Sequence, residues 1–136
     1  MSTFKFLAGA TLAMAVGLAA PAVTADDAKA TKGQEKLARM LEGKVAGEPV
    51  GCINNTRGLD LTVIDETALV YKRGSTLYVN YTTDPEDIDD DDVLVLRTTI
   101  GSLCSTDVLT TRDRAGGFFT GNLFLEEFIP YRPAER

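Results

Sequence analysis

Histidine is absent from this chain, and cysteine occurs only at Cys52 and Cys104. The first absence removes Ser-His-Asp and Cys-His catalysis, imidazole general-base work and the commonest metal ligand together. Cysteines so far apart cannot form the short C-x-x-C pair of thiol oxidoreductases and zinc sites. No G-x-G-x-x-G or P-loop pattern occurs, so nucleotide binding of those kinds has no support. No pair of carboxylates lies in an apolar stretch of the sort that raises a pKa for acid–base work. Internal repeats are missing, and the one low-complexity stretch is acidic.

Positive charge is also in short supply. Fourteen Lys and Arg residues stand against 20 Asp and Glu, for a net charge of −6. That balance repels nucleic acid and anionic membrane surfaces and favours solubility, so nucleic acid is not an expected partner.

What is present begins with Lys5, an almost unbroken apolar and small-residue run from Phe6 to Val23, and then Thr24-Ala25 before Asp26-Asp27. This basic, apolar, small-residue order reads as a cleavable signal peptide over residues 1–25. A membrane anchor is the rival reading, but the run is rich in Ala and Gly, contains Pro21 and is followed by acids rather than a basic stop-transfer cluster. No cysteine closes the run, so a lipid anchor has no attachment point there. The remaining residues suit one domain with its own core, periplasmic or secreted, with no membrane span after cleavage. In an exported protein an even number of thiols is normally paired, and two allow a single connectivity, Cys52–Cys104. On the chain-entropy model that bridge contributes roughly 4 kcal/mol.

Along the exported part, residues 26–30 read as a short disordered polar tail. Thr31 followed by Gln34 fits a capping box, Leu37, Met40 and Leu41 fall at helical spacing, and Gly43 suits a left-handed helix end. The spacing predicts an amphipathic helix over 31–43, docked on a single mostly β domain covering 31–136. After Gly47-Glu48-Pro49 the pattern turns to short strands. Leu59, Leu61 and Val63 alternate with polar residues. Ala68–Arg73 and Thr76–Tyr81 flank Gly74-Ser75, a two-residue connection whose glycine suits a type II′ turn. That turn sets Val70 opposite Val79, Tyr71 opposite Tyr78 and Leu69 opposite Asn80. The face carrying Ala68, Val70, Leu77, Val79 and Tyr81 is assigned to the core.

Further on, Val93–Ile100 reads as a strand buried on both faces, and Leu103–Thr111 as another, carrying Cys104. Phe118–Tyr131 reads as further strands, with Pro130 confining the last to an edge. The fold class is therefore mainly β: a small antiparallel sandwich or open barrel, with one N-terminal amphipathic helix and one disulfide.

Two local features invite a functional reading. The run Asp84-Pro85-Glu86-Asp87-Ile88-Asp89-Asp90-Asp91-Asp92 offers alternate carboxylates to Ca²⁺, yet counting from Asp87 it lacks the EF-hand glycine at position six and glutamate at position twelve. The other reading is a solvated loop whose charges keep the next apolar strand from pairing with other chains. Tyr71, Tyr78 and Asn80, on the second face of the hairpin, could form a sugar- or peptide-binding platform, or cover a second layer of core. Asn54-Asn55-Thr56 and Asn80-Tyr81-Thr82 match the N-glycosylation acceptor, but the short Ala-rich signal has a bacterial look, and in bacteria such a match is usually accidental.

Taken in order, Gly47-Glu48-Pro49-Val50-Gly51-Cys52-Ile53, Ile64-Asp65-Glu66-Thr67-Ala68-Leu69-Val70-Tyr71, Leu77-Tyr78-Val79-Asn80, Asp91-Asp92-Val93-Leu94-Val95, Leu103-Cys104 and Phe128-Ile129-Pro130-Tyr131 resemble a family of small exported, uncharacterised proteins of Gram-negative bacteria. The resemblance spans residues 40 to 132. It implies a periplasmic or secreted protein, supports the Cys52–Cys104 bridge and transfers no catalytic residue. The sequence therefore leads to a non-catalytic envelope protein that binds an unknown protein or glycan partner, with no cofactor, metal or catalytic residue. The alternative is a carboxylate-dependent hydrolase.

Overall fold

The computed structural model describes residues 22, 24–56, 58–97 and 101–135. The expected signal segment 1–25 lies almost wholly outside the described residues. The helix α1 spans Ala25–Leu41, beginning well before the helix that the spacing predicts. Its cap is Thr24, whose side chain accepts from the Asp27 N–H while the Asp27 carboxylate accepts from the Thr24 N–H. Residues 26–30, expected to be a disordered tail, are instead the first turns of this helix. Ala28, Lys29 and Ala30 are strong helix formers, and Asp27 sits where the helix dipole favours an anion. Thr31, the expected cap, lies inside the helix with its hydroxyl donating to the Asp27 carbonyl (2.8 Å). The helix stops before Gly43, whose φ is +72°, as expected.

The strands that follow are β1 (Lys44–Ala46), β2 (Cys52–Asn54), β3 (Asp60–Ile64), β4 (Ala68–Arg73), β5 (Thr76–Asn80), β6 (Val93–Leu96), β7 (Ser102–Cys104), β8 (Val108–Arg112), β9 (Phe119–Phe124) and β10 (Ile129–Pro133). They form three antiparallel sheets, ordered β1-β10-β5-β4-β3, β2-β7 and β6-β8-β9. The described residues are thus mainly β with one α-helix and one disulfide, as the patterning predicts.

The β4–β5 hairpin has the register its turn dictates: Val70 pairs with Val79, Tyr71 with Tyr78 and Leu69 with Asn80. Gly74 takes the φ of +60° that a side chain would resist. Around this hairpin both faces of the large sheet are buried. One carries Ile64, Ala68, Val70, Leu77 and Val79 and packs against Leu37 of α1. The other carries Leu69 and Tyr71 and packs against Ile53, Leu103, Leu109, Leu123 and Phe128 from the other two sheets and the β9–β10 link. The first of these faces is the one the sequence assigns to the core, and the second, which the sequence leaves between a binding platform and a second layer of core, is core as well. Tyr81, assigned to the first face, lies just past β5 and is exposed.

Gly33 brings α1 close to the β3–β4 turn. A methyl group there would stand 2.8 Å from the Asp65 carbonyl oxygen and 2.9 Å from Thr67 Cβ. Lys29, one turn earlier, holds the same turn through Asp65 (3.4 Å) and Glu66 (3.8 Å).

Three strand expectations need correction. Pro130 lies in an interior strand, since β10 sits between β1 and β5. Its carbonyl accepts from Gly47, just beyond the end of β1, so its missing N–H faces a place where the ladder is already ending. Leu103–Thr111 is two strands rather than one, split by a turn in which the Asp107 N–H donates to the Cys104 carbonyl and the Cys104 N–H to the Asp107 carboxylate. In β6, Leu94 and Leu96 pack inward while Val93 is 42% exposed, so it is not buried on both faces. The predicted strand runs on to Ile100, but Arg97 is already outside β6 and Thr98–Ile100 lie outside the described residues.

Candidate binding surface

Tyr71 and Asn80, two members of the candidate platform, are buried at 5% and 0% exposure, and Tyr78 is half-buried against the same core. Tyr71 meets Phe128 edge-on, with ring centroids 5.9 Å apart, and burial pushes its phenol pKa well up. The Asn80 side chain accepts from the N–H groups of Thr82 (3.0 Å) and Glu126 (3.0 Å) and donates to the Glu126 carbonyl, tying the end of β5 to the β9–β10 link. It also pins Thr82, a β-branched residue at φ +58° whose hydroxyl is buried with no partner. A residue so enclosed cannot present a platform or accept a glycan. The Tyr71, Tyr78 and Asn80 face is therefore core, and the exposed aromatics lie elsewhere.

Two of them, Phe119 and Phe124, lie on the outer face of the β6-β8-β9 sheet. Antiparallel pairing arranges that face in rows: Val93, Arg112 and Phe119, then Val95, Thr110 and Asn122, then Val108 and Phe124. A bulge keeps the first row together, because the pairing slips between Thr111 and Arg112 and turns Phe119 outward beside Asn122 and Phe124. Phe119 and Phe124 are 60% and 51% exposed, Val93 and Val108 each 42%, and Phe118, at the adjoining turn, 74%. Opposite them, Leu94, Leu109 and Leu123 point into the core. In the middle row the Thr110 hydroxyl donates to Asn122 Oδ1 (3.4 Å). Arg112 is the one charged residue in these rows, and its guanidinium donates to the Gly117 carbonyl (3.0 Å). This face thus offers exposed rings and a few hydrogen-bonding groups, with no carboxylate in its rows.

Comparison of the chain with family models, curated proteins and solved structures found no match. The reading of this surface therefore rests on its own geometry.

The acidic run is anchored, rather than only solvated. Ile88 within it is buried in the core, the Arg114 guanidinium donates to the carbonyls of Asp90 (3.3 Å) and Asp91 (3.0 Å), and Asp92 accepts from the Thr120 hydroxyl. Asp65, Asp89 and Asp90 bring carboxylate oxygens within 4.8 Å of one another. The Lys29 ammonium already stands against this group, and Asp65 followed by Glu66 raises its pKa. Asp89 and Asp90 are exposed, so the apolar setting that general-acid work requires is missing there. Separately, an open groove of about 460 Å³ runs between α1 and the chain beyond β5, lined by Leu37, Leu41, Glu66, Thr67 and Tyr81. Burial, and then Tyr131 beside it, raises the Tyr81 pKa.

The disulfide joins directly opposed positions of β2 and β7, with Cα atoms 4.0 Å apart. Ile53 and Leu103, the next pair along, are buried, so the bridge clamps the outer end of a core contact. Sequence reasoning found this bridge but not Phe118, Phe119 and Phe124 as a surface. One signal was available: residues 115–125 carry no charge in a chain that is one-quarter charged. The bulge that aligns the phenylalanines is not visible in that run.

Proposed function

We propose that this is an exported, non-catalytic binding or accessory protein of the bacterial envelope, periplasmic or secreted, acting through the phenylalanine face of the β6-β8-β9 sheet. The observation that carries the reading is the contrast between the two aromatic groups: Tyr71 is sealed in the core, whereas Phe119 and Phe124 are more than half exposed on one charge-poor face, with Phe118 exposed at the adjoining turn. Patches of this kind on a monomer are commonly functional. The signal layout of residues 1–25, the paired cysteines and the resemblance to small exported Gram-negative proteins support the location. Among the described residues no helix is long and apolar enough to cross a membrane.

The sheet arrangement fits a small sandwich in which β2-β7 and β6-β8-β9 together cover one side of the five-stranded sheet. Cleavage after Ala25 would remove Thr24 and its cap, leaving Thr31 with Gln34 as the next available capping pair for the exported chain.

The test is capture from an envelope extract with the wild-type protein and with the double variant Phe118→Ser/Phe119→Ser. Retention of a specific protein or glycan by the wild type and its loss in the variant is expected. Equal retention by both would place binding elsewhere.

A further inference from the structure

Deepening the reading of the phenylalanine face as the binding surface, we propose that its partner is a second copy of this chain, packed face to face across a two-fold axis.

Three observations favour that occupant. The first is area. At the exposures given above, Phe119, Phe124, Val93 and Val108 leave roughly 350 Å² of apolar surface on this face. A stable interface buries about 800 Å² per partner, apolar at its centre and polar at its rim. Here the apolar groups stand at the two ends, and Val95, Thr110 and Asn122 between them, with Arg112 beside Phe119, supply the remainder of the contact. The second is the distribution of charge. Each chain carries a net −6, and eleven consecutive residues through the patch, 115–125, carry no charge. Two chains of like sign can approach where charge is sparsest, and this face is such a place.

The third is self-complementarity. An isologous interface requires that residue i meet residue j while j meets i. Apolar rows stand at both ends of these strands, roughly 13 Å apart, with the polar Thr110–Asn122 row between them. A two-fold axis crossing the strands at the middle row lays the Phe119 end of one copy over the Val108 and Phe124 end of the other, and sets the two polar rows together. Aligned packing of two sheets about 10 Å apart is an ordinary arrangement for such faces. Adding a strand at the β9 edge is a poorer route, because the Phe124 carbonyl already accepts from the Thr83 N–H (2.9 Å).

Sedimentation of the purified protein, in the form the producing cell processes it, tests the proposal. At about 50 µM chain a monomer–dimer equilibrium is expected, and it should strengthen between about 0.05 and 0.5 M salt as like charges are screened. Phe119→Ser/Phe124→Ser should weaken association at least tenfold. Thr110→Arg, which sets a charge in the middle row without removing a ring, should do the same, with circular dichroism confirming that each variant is folded. A wild-type monomer at that concentration overturns the dimer, as does a dimer untouched by all these changes. A monomer that still captures another protein through the phenylalanines also overturns it while leaving the binding function standing. So does a monomer that floats with vesicles of anionic phospholipid.

Discussion

Replacing Tyr71 and Phe119 by alanine, one at a time, separates the two aromatic surfaces most sharply. Tyr71 is 5% exposed, touches Phe128 edge-on and lies among the aliphatic residues of β2, β7, β8 and β9. Truncating a buried aromatic of this size removes its transfer free energy and leaves a cavity, costing about 3 to 5 kcal/mol. The ring pair with Phe128 accounts for about 0.5 to 1.5 kcal/mol of this. Phe119 is 60% exposed, so Phe119→Ala should change the stability of the monomer by less than about 0.5 kcal/mol. Urea unfolding followed by far-UV circular dichroism, in dilute solution to keep the chain monomeric, reads both. The midpoint should fall steeply for Tyr71→Ala with little change in slope and stay nearly fixed for Phe119→Ala. In a domain of this length the first loss lowers the melting temperature by more than about 10 °C. A cost below about 1 kcal/mol for Tyr71→Ala, or a larger one for Phe119→Ala, would refute the assignment of the tyrosine face to the core.

Gly33→Ala gains helix propensity worth about 1 kcal/mol but pushes a methyl group against the Asp65 carbonyl and Thr67. A net loss of about 1 to 3 kcal/mol in thermal or urea unfolding is expected, because backbone lies in the way and α1 must move off the sheet. Reducing Cys52–Cys104 should lower stability by about 2 to 4 kcal/mol, measured with and without reductant, and should raise hydrogen exchange first in β2 and β7. The start of α1 should loosen in acid. Hydrogen bonding to Thr24 lowers the Asp27 pKa below 3.8, so its contribution is present above that value and is lost as pH falls through the lowered one. Amide exchange at Asp27 and Ala28 in the full chain reads this, and Thr24→Ala should abolish the pH dependence.

Local chemistry by itself determined several parts of this protein. Gly74-Ser75 specifies a two-residue turn, and with it every pair of the β4–β5 hairpin, because a slip by one residue would turn each side chain to the opposite face. With two cysteines in the chain, only one intramolecular bridge can form, Cys52–Cys104. The end of α1 follows from Gly43. Its start was not legible in the same way, since Thr24 with Asp27 and Thr31 with Gln34 both meet the requirement for a cap. The choice falls to the extra turns, which place Lys29 against Asp65 and Glu66 across the docked sheet.

Which hairpin face is buried could not be decided within the hairpin, because alternation tells two faces apart without saying what covers each. Only the tertiary structure brings α1 to the Val70 and Val79 side and the two smaller sheets to the Tyr71 side, so that both become core. The same holds for Pro130, whose interior place depends on where the distant strand β1 ends. It holds again for Phe119 and Phe124, five positions apart, which a regular strand would turn to opposite faces and which the bulge opposite Thr111 and Arg112 turns to the same one.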